Sequence, residues 1–300
     1  MKKYWIAIFI TISLLAGVVI WSLRRGKKVD LTAYKQSKEA ADEMAGRVLN
    51  YTAPKSKIFD LITMNFYEGF DLDTYQDTFP VYSDSSTLFS AEMRPGNIGI
   101  AKEMISRYDK IVSEASQIHR VPRILIYGIM LAEHERSVSL KQAESYSRPG
   151  SKYIGLMQIS ATTANDSLSR NITYKKLSQA QIDLFTKKGI IKGTGENAVV
   201  NVTNSHLRTA DLNIHAGAEY LSRHINSWGI FQPEKLVVSY NQGEGALKRD
   251  GLTKATAAKV YEFYKGKNSG QIAQVKGYLL KILGKHGACD ILFNDLGIKD

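Results

Sequence analysis

From about Ile98 onward, apolar residues recur every third or fourth position, the spacing that gathers them on one face of an α-helix. The pattern predicts helices over 99–118, 122–135, 157–168, 177–188, 211–227, 234–240, 253–265 and 271–284. Alternation with period two is sparse; its best instance is Ala198–Val202 (AVVNV). The expected fold class is therefore mainly α. Two segments break the amphipathic rule. Residues 122–135 (PRILIYGIMLAEHE) are apolar nearly all round, which predicts a buried helix. Tyr4–Leu23 is a run of uncharged residues long enough, at 1.5 Å per residue, to span about 30 Å of bilayer core. With Trp5 and Trp21 near its ends it predicts an N-terminal transmembrane helix.

Between that span and the helical region, residues 29–50 set Leu31, Tyr34, Ala41, Met44 and Val48 at helical spacing, as a juxtamembrane helix would. Residues 51–97 are mixed and end at Pro95-Gly96-Asn97, a predicted turn. The expected organisation is a membrane anchor over 1–28, a juxtamembrane helix and linker over 29–97, and a helical domain over 98–300.

Composition narrows the partners. A hydrophobic content of 44% supports a sizeable core, and a formal charge of +11 suits an anionic polymer or surface. No RNP motif or zinc-finger spacing accompanies that charge, so nucleic acid is not an expected partner. The single cysteine, Cys289, can form neither an internal disulfide nor a structural zinc site. Charges around the span conflict with an external substrate. Lys2 and Lys3 precede it and Arg24, Arg25, Lys27 and Lys28 follow it, a bias that favours a cytoplasmic body.

Candidate chemistry centres on Glu133. It lies near the end of the apolar helix, where burial and the negative helix end both raise a carboxyl pKa, as a general acid requires. The bland alternative is a helix-end Glu paired with Arg136 on the surface. Glu135 competes, but two residues along a continuing helix point about 200° away. The run His134–Val138 lacks the second histidine of a zinc motif, and no metal site or cofactor is expected. Downstream stand Gly155-Leu156-Met157-Gln158, Asn213-Ile214 through Gly217 to Tyr220-Leu221, and Tyr240-Asn241 followed by Gly243 and Gly245. Gly155 permits close approach of a ring, Leu156 and Met157 offer an apolar floor, and Gln158 can both donate to and accept from an acetamido group.

In this order, over roughly residues 105–265, these elements resemble the lytic transglycosylase and goose-type lysozyme superfamily. The resemblance implies a lysozyme-like helical domain acting on peptidoglycan glycan strands, with Glu133 as catalytic acid and His134 where the family usually has Ser. It implies substrate binding by Gly155, Leu156, Met157, Gln158, Tyr240 and Asn241, with the Asn213–Leu221 helix packing behind the cleft. A tyrosine of the downstream helix would also line the cleft, either Tyr261 or Tyr264. Residues 170–205 read as an insertion.

Goose-type lysozymes carry an Asp shortly after the GLMQ segment. This chain has Ser160 there and its next acid is Asp166; the other candidate is Glu144, in the long stretch between Glu133 and Gly155 that, with Arg148, Pro149 and Gly150, is expected to form a loop at the cleft rim. A single acid favours intramolecular chemistry over the two-carboxylate route of a hydrolase. The expected activity is that of a lytic transglycosylase, which cuts the MurNAc-GlcNAc β-1,4 bond and leaves 1,6-anhydromuramoyl ends. The alternatives are a lysozyme-type muramidase and a non-catalytic wall-binding or assembly protein. The expected location is the inner membrane, single-pass through residues 4–23, with the catalytic domain facing the periplasm.

Overall fold

The computed structural model describes residues 86–298, apart from 175, 194–196, 229–232, 244, 256 and 266–269. The transmembrane span expected over residues 4–23 and the juxtamembrane helix expected over 29–50 fall outside these residues. Among the described residues no helix is long and apolar enough to cross a membrane.

Helix α1, Arg94–His119, begins with Pro95 in its first turn, where a missing N–H costs nothing. The turn expected at Pro95-Gly96-Asn97 is therefore that first helical turn. Ala101, Met104, Tyr108, Val112 and Ala115 form its buried stripe, and Arg120 ends it in the left-handed conformation. Just before it, Phe89 is fully buried in the same core.

Helix α2, Arg123–Glu133, follows after Pro122 and is buried from Ile124 to Ala132 without interruption. A segment apolar on every face has to be surrounded. Four helices do so: α1, α7 (Ala210–Trp228), α11 (Gly270–Leu283) and the short α12 (Ala288–Asp290). Gly128 matters at this crossing, because a Cβ there would stand 3.2 Å from the Cys289 sulfur. Cys289 itself is buried, and burial pushes its thiol pKa up to about 12.

Between α2 and α7 run α3 (Leu140–Ala143), α4 (Ala161–Thr173), α5 (Gln179–Lys187) and α6 (Asn204–Leu207). A two-stranded antiparallel hairpin, β1 (Ile191–Lys192) with β2 (Val199–Val200), joins α5 to α6. Its second strand is the period-two stretch seen in the sequence. After α7 come α8 (Pro233–Gln242), α9 (Gly245–Arg249), α10 (Ala257–Lys265), α11, α12 and a π-helical turn over Ile291–Asp295. The mainly helical expectation holds.

The helix expected over 157–168 is a correction. It starts only at Ala161, capped by the Ser160 hydroxyl, which accepts the Thr163 N–H at 3.1 Å. The six residues before Ser160 form a tight loop closed by a β-bridge between Ile154 and Ile159. Gly155 and Gln158 both have positive φ, 78° and 44°, which no helix accommodates.

Helix α7 separates two apolar clusters. Ile214, Ala218, Leu221 and Ile225 join the α2 core. Leu212, Ala216 and Tyr220 join a second cluster with Leu168, Phe185, Ile190 and Val202. The stretch read as an insertion thus has its own hydrophobic seat against the rear of α7.

Polar groups are buried at that seat. His119 and His215 meet at 3.1 Å, and Gln181 donates to or accepts from the His119 ring at 3.1 Å. Burial lowers the pKa of His119, His215 and His224, the last to about 3, while burial raises that of Glu219 to about 7. A histidine with a depressed folded pKa stabilises the fold above its unfolded value of about 6.5 and loses that contribution as pH falls below it. Glu219 acts in the opposite sense between about pH 4.5 and 7. Glu133 is raised likewise and His134 lowered likewise, so four histidines outweigh two acids, each changing stability by up to about 1.4 kcal/mol per pH unit. The melting temperature should therefore fall steadily from pH 7 to pH 5 in a calorimetric series. His215→Gln should flatten that slope, and an unchanged slope would contradict the assignment.

Candidate active site

The cleft is built at the C-terminal end of α2. Glu133 is the last helical residue, and His134 leaves in an extended conformation (φ −62°, ψ 122°). A small pocket opens there. One wall is Met130, Glu133, His134 and Glu135; the other is Tyr146 of the rim loop with Gly155, Leu156 and Gln158.

Glu133 does not pair with Arg136 at the surface. Its Oε1 accepts a hydrogen bond from the Tyr278 hydroxyl at 2.6 Å, reached across 145 residues of sequence. Burial raises the Glu133 pKa, and the Tyr278 hydrogen bond with the charges of Lys281 and Arg148 opposes it without cancelling it. Tyr278 and Tyr240 are themselves held well above the ordinary tyrosine range, by burial and by the Glu133 charge nearby. Burial lowers the Lys281 pKa, while Glu133 works against that shift.

The facing loop is held by backbone and amide contacts. Gly155 N–H and the Gln158 side-chain NH₂ both donate to the Tyr146 carbonyl, at 2.9 and 3.2 Å. The same Gln158 NH₂ donates to the Gly155 carbonyl at 2.7 Å. Fully buried Asn213 pins the loop from behind: its Oδ1 accepts from Met157 N–H at 2.7 Å, and its NH₂ donates to the carbonyls of Ile154 (2.8 Å) and Leu207 (3.0 Å). Tyr240 on α8 donates to the Met157 carbonyl at 2.7 Å, and its ring lies 5.6 Å from that of Tyr220.

Several sequence expectations change here. The missing side chain of Gly155 makes room for Asn213, whose amide nitrogen would lie 2.3 Å from a Cβ, rather than for a sugar ring. Met157 is fully buried against Gly217, so only Leu156 of the expected apolar floor faces the pocket. Asn241 is half-buried and accepts from Gln242 at 2.6 Å; with Tyr240 it stands outside the pocket lining among the described residues. Tyr264 donates to Asp250 at 2.8 Å, and Tyr261 stacks under Lys265. The tyrosine that reaches the acid is Tyr278, one helix later than either.

The second-acid candidates also rearrange. Glu144 accepts from Tyr108 and Lys141 at the end of α3, and Asp166 pairs with Arg170 and Arg223. Ser160 is committed to its helix cap. Glu135 was set aside on the premise that the helix continues through it. The helix stops at Glu133, and Glu135 lines the same pocket, its Oε2 3.2 Å from Arg148 of the rim loop.

Residues 189–263 match the family model described as the Transglycosylase SLT domain. The matched stretch holds Asn213, Tyr240 and Asn241 and the last part of the apparent insertion; Glu133 and the GLMQ loop precede it. No curated protein matches the chain.

Proposed function

We propose that this protein is a membrane-anchored peptidoglycan lytic transglycosylase whose general acid, and then base, is Glu133. The observation that carries the reading is a half-buried carboxyl with a raised pKa, placed in a cleft opposite the GLMQ loop and joined downstream by a transglycosylase-domain match. A carboxyl that keeps its proton near neutral pH can donate it to the glycosidic oxygen between the muramoyl and glucosaminyl units. The bond from C1 to that oxygen breaks, and the muramoyl 6-hydroxyl attacks C1 while giving its proton to the Glu133 carboxylate. Atoms balance without water, and the tethered hydroxyl acts at high effective molarity.

The Tyr278 hydroxyl holds Glu133 in one rotamer and stabilises the carboxylate between the two proton transfers. Gln158 uses its NH₂ within the loop, which leaves its carbonyl oxygen as the group to accept from an acetamido N–H of the substrate. In this reading Leu156 forms the apolar contact, Gly155 and Met157 shape the loop, and Tyr240 and Asn241 support it from α8. Residues 4–23 would hold the enzyme in the inner membrane, with the cleft turned towards the wall.

The test is digestion of purified sacculi by the full-length chain, with mass spectrometry of the new ends; 1,6-anhydromuramoyl ends are expected. A further expectation concerns Tyr278→Phe. Removing a donor to the carboxylate favours its protonated form, so Glu133 would keep its proton to higher pH. The alkaline limb of the rate profile should move upward, with a lower maximum from the lost orientation. A limb that stays in place would separate Tyr278 from the acid's function.

A further inference from the structure

The stretch read as an insertion runs into α6, which is held firmly from both sides. The Asn165 side chain of α4 accepts from Val202 N–H at 2.7 Å and donates to the Val202 carbonyl at 2.8 Å, and Thr203 with His206 closes a capping box. From this anchor Leu207 and Arg208 reach the loops of the cleft. The Leu207 carbonyl accepts from the same Asn213 NH₂ that donates to Ile154. Arg208 extends its Nη1 to the Ser145 carbonyl at 2.7 Å, across 63 residues of sequence.

Ser145 opens the rim loop. Its neighbour Tyr146 offers its carbonyl to Gly155 and Gln158, so that stem is tied to the facing loop. A tight turn follows: Ser151 N–H donates to the Arg148 carbonyl at 2.9 Å, and the Ser147 hydroxyl donates to the Ser151 carbonyl at 2.9 Å. The Arg148 head meets Glu135 Oε2 at 3.2 Å, on the wall that also holds Glu133. A continuous chain of contacts therefore joins Arg208, exposed and outside the pocket lining, to a cation beside the acid.

Resting on the reading of Glu133 as the acid, we propose that Arg208 is a positioning residue through which the inserted segment sets the rim loop, and with it the Arg148 guanidinium, against the catalytic carboxyl. Burial raises the Glu133 pKa, and Tyr278 and Lys281 of α11 and Arg148 of the rim loop oppose it. Tyr240 of α8 faces the same charge, while Glu135 and Arg136 face Lys281. Of the three groups that favour the carboxylate, only Arg148 is carried by a loop, so its placement is the one that a loop contact can alter. A rim loop released from Arg208 withdraws that charge, and Glu133 then keeps its proton to higher pH.

The experiment is a pH–rate series on sacculi with the full-length chain, read beside hydrogen exchange of the rim-loop amides. Arg208→Ala should move the alkaline limb of kcat/KM upward, since that limb reports the acid of the free enzyme. Its maximum should fall about 10-fold as the wall carrying Leu156 and Gln158 loses its place. Exchange over 145–153 should quicken while the melting temperature stays at the wild-type value, because Arg208 lies at the surface. Arg208→Lys keeps a donor and should recover most of the limb position and the rate. Arg148→Gln should move the limb in the same direction, and Arg208→Ala should move it no further in the double variant. Additive shifts would overturn the route through Arg148, and an unmoved limb with unchanged exchange in Arg208→Ala would overturn the role of Arg208. The transglycosylase reading fails on a different observation. Reducing ends from wild type would defeat it, while the limb, which belongs to the acid whichever product forms, would still decide the part played by Arg208.

Discussion

Glu133→Gln should abolish cleavage of sacculi, with a loss of about 10²- to 10⁴-fold. The amide keeps the volume of the side chain, and its oxygen can still accept from Tyr278, so the pocket keeps its shape. What it lacks is a proton to give to the glycosidic oxygen. Stability supplies the control. A carboxyl whose folded pKa is raised destabilises the fold as pH climbs above its unfolded value. The variant should therefore melt no lower than wild type, and higher at alkaline pH. Quantifying soluble muropeptides alongside a thermal melt checks both. Retained cleavage by a folded Glu133→Gln protein would remove the acid from the mechanism.

Asn213→Ala should be the most damaging single change away from the acid. Three buried backbone groups depend on that one amide: the Met157 N–H and the carbonyls of Ile154 and Leu207. Leaving buried polar groups unpaired costs about 1–3 kcal/mol each, and the vacated volume beside Gly155 adds to it. A loss of about 3 kcal/mol corresponds to a melting shift of roughly 10 °C for a domain of this size. Activity should fall further than the population of folded protein explains, because the loop that carries Leu156 and Gln158 would lose its register against Glu133. Asn213→Asp separates the contributions. It can still accept from Met157 N–H, but it cannot donate to Ile154 or Leu207 and would bury a charge. Measuring kcat on the fraction that remains folded distinguishes a misplaced loop from simple unfolding. Wild-type kcat in that fraction would show that Asn213 is structural only.

The buried run from Ile124 to Ala132 was legible because an all-apolar helix has one physical solution, complete enclosure. The amphipathic helices were legible because a period of 3.6 is a local property, readable within any window of a dozen residues. The short helices α3, α6, α9 and α12 were not, since three to five residues cannot display a period. Residues 157–160 were read as the start of a helix because they suit one. The competing influence is Asn213, more than fifty residues away, whose amide holds the loop in backbone conformations that no helix shares. Glu135 was misjudged for a related reason. Neither Gly nor Pro follows Glu133, so nothing local announces that the helix ends there and that the next acid turns into the same pocket.

Periodicity and residue type along the chain determined that the domain is helical, that α2 is enclosed, and that Glu133 stands at its end, ahead of amide and aromatic motifs. Only the tertiary structure decided that Tyr278 rather than Tyr261 or Tyr264 meets that acid, that Gly155 serves Asn213, that Met157 turns inward and that Glu135 faces the cleft. Backbone preferences act between near neighbours, whereas these pairings join side chains that only packing brings together, at separations where the pattern along the chain holds no memory of its partner.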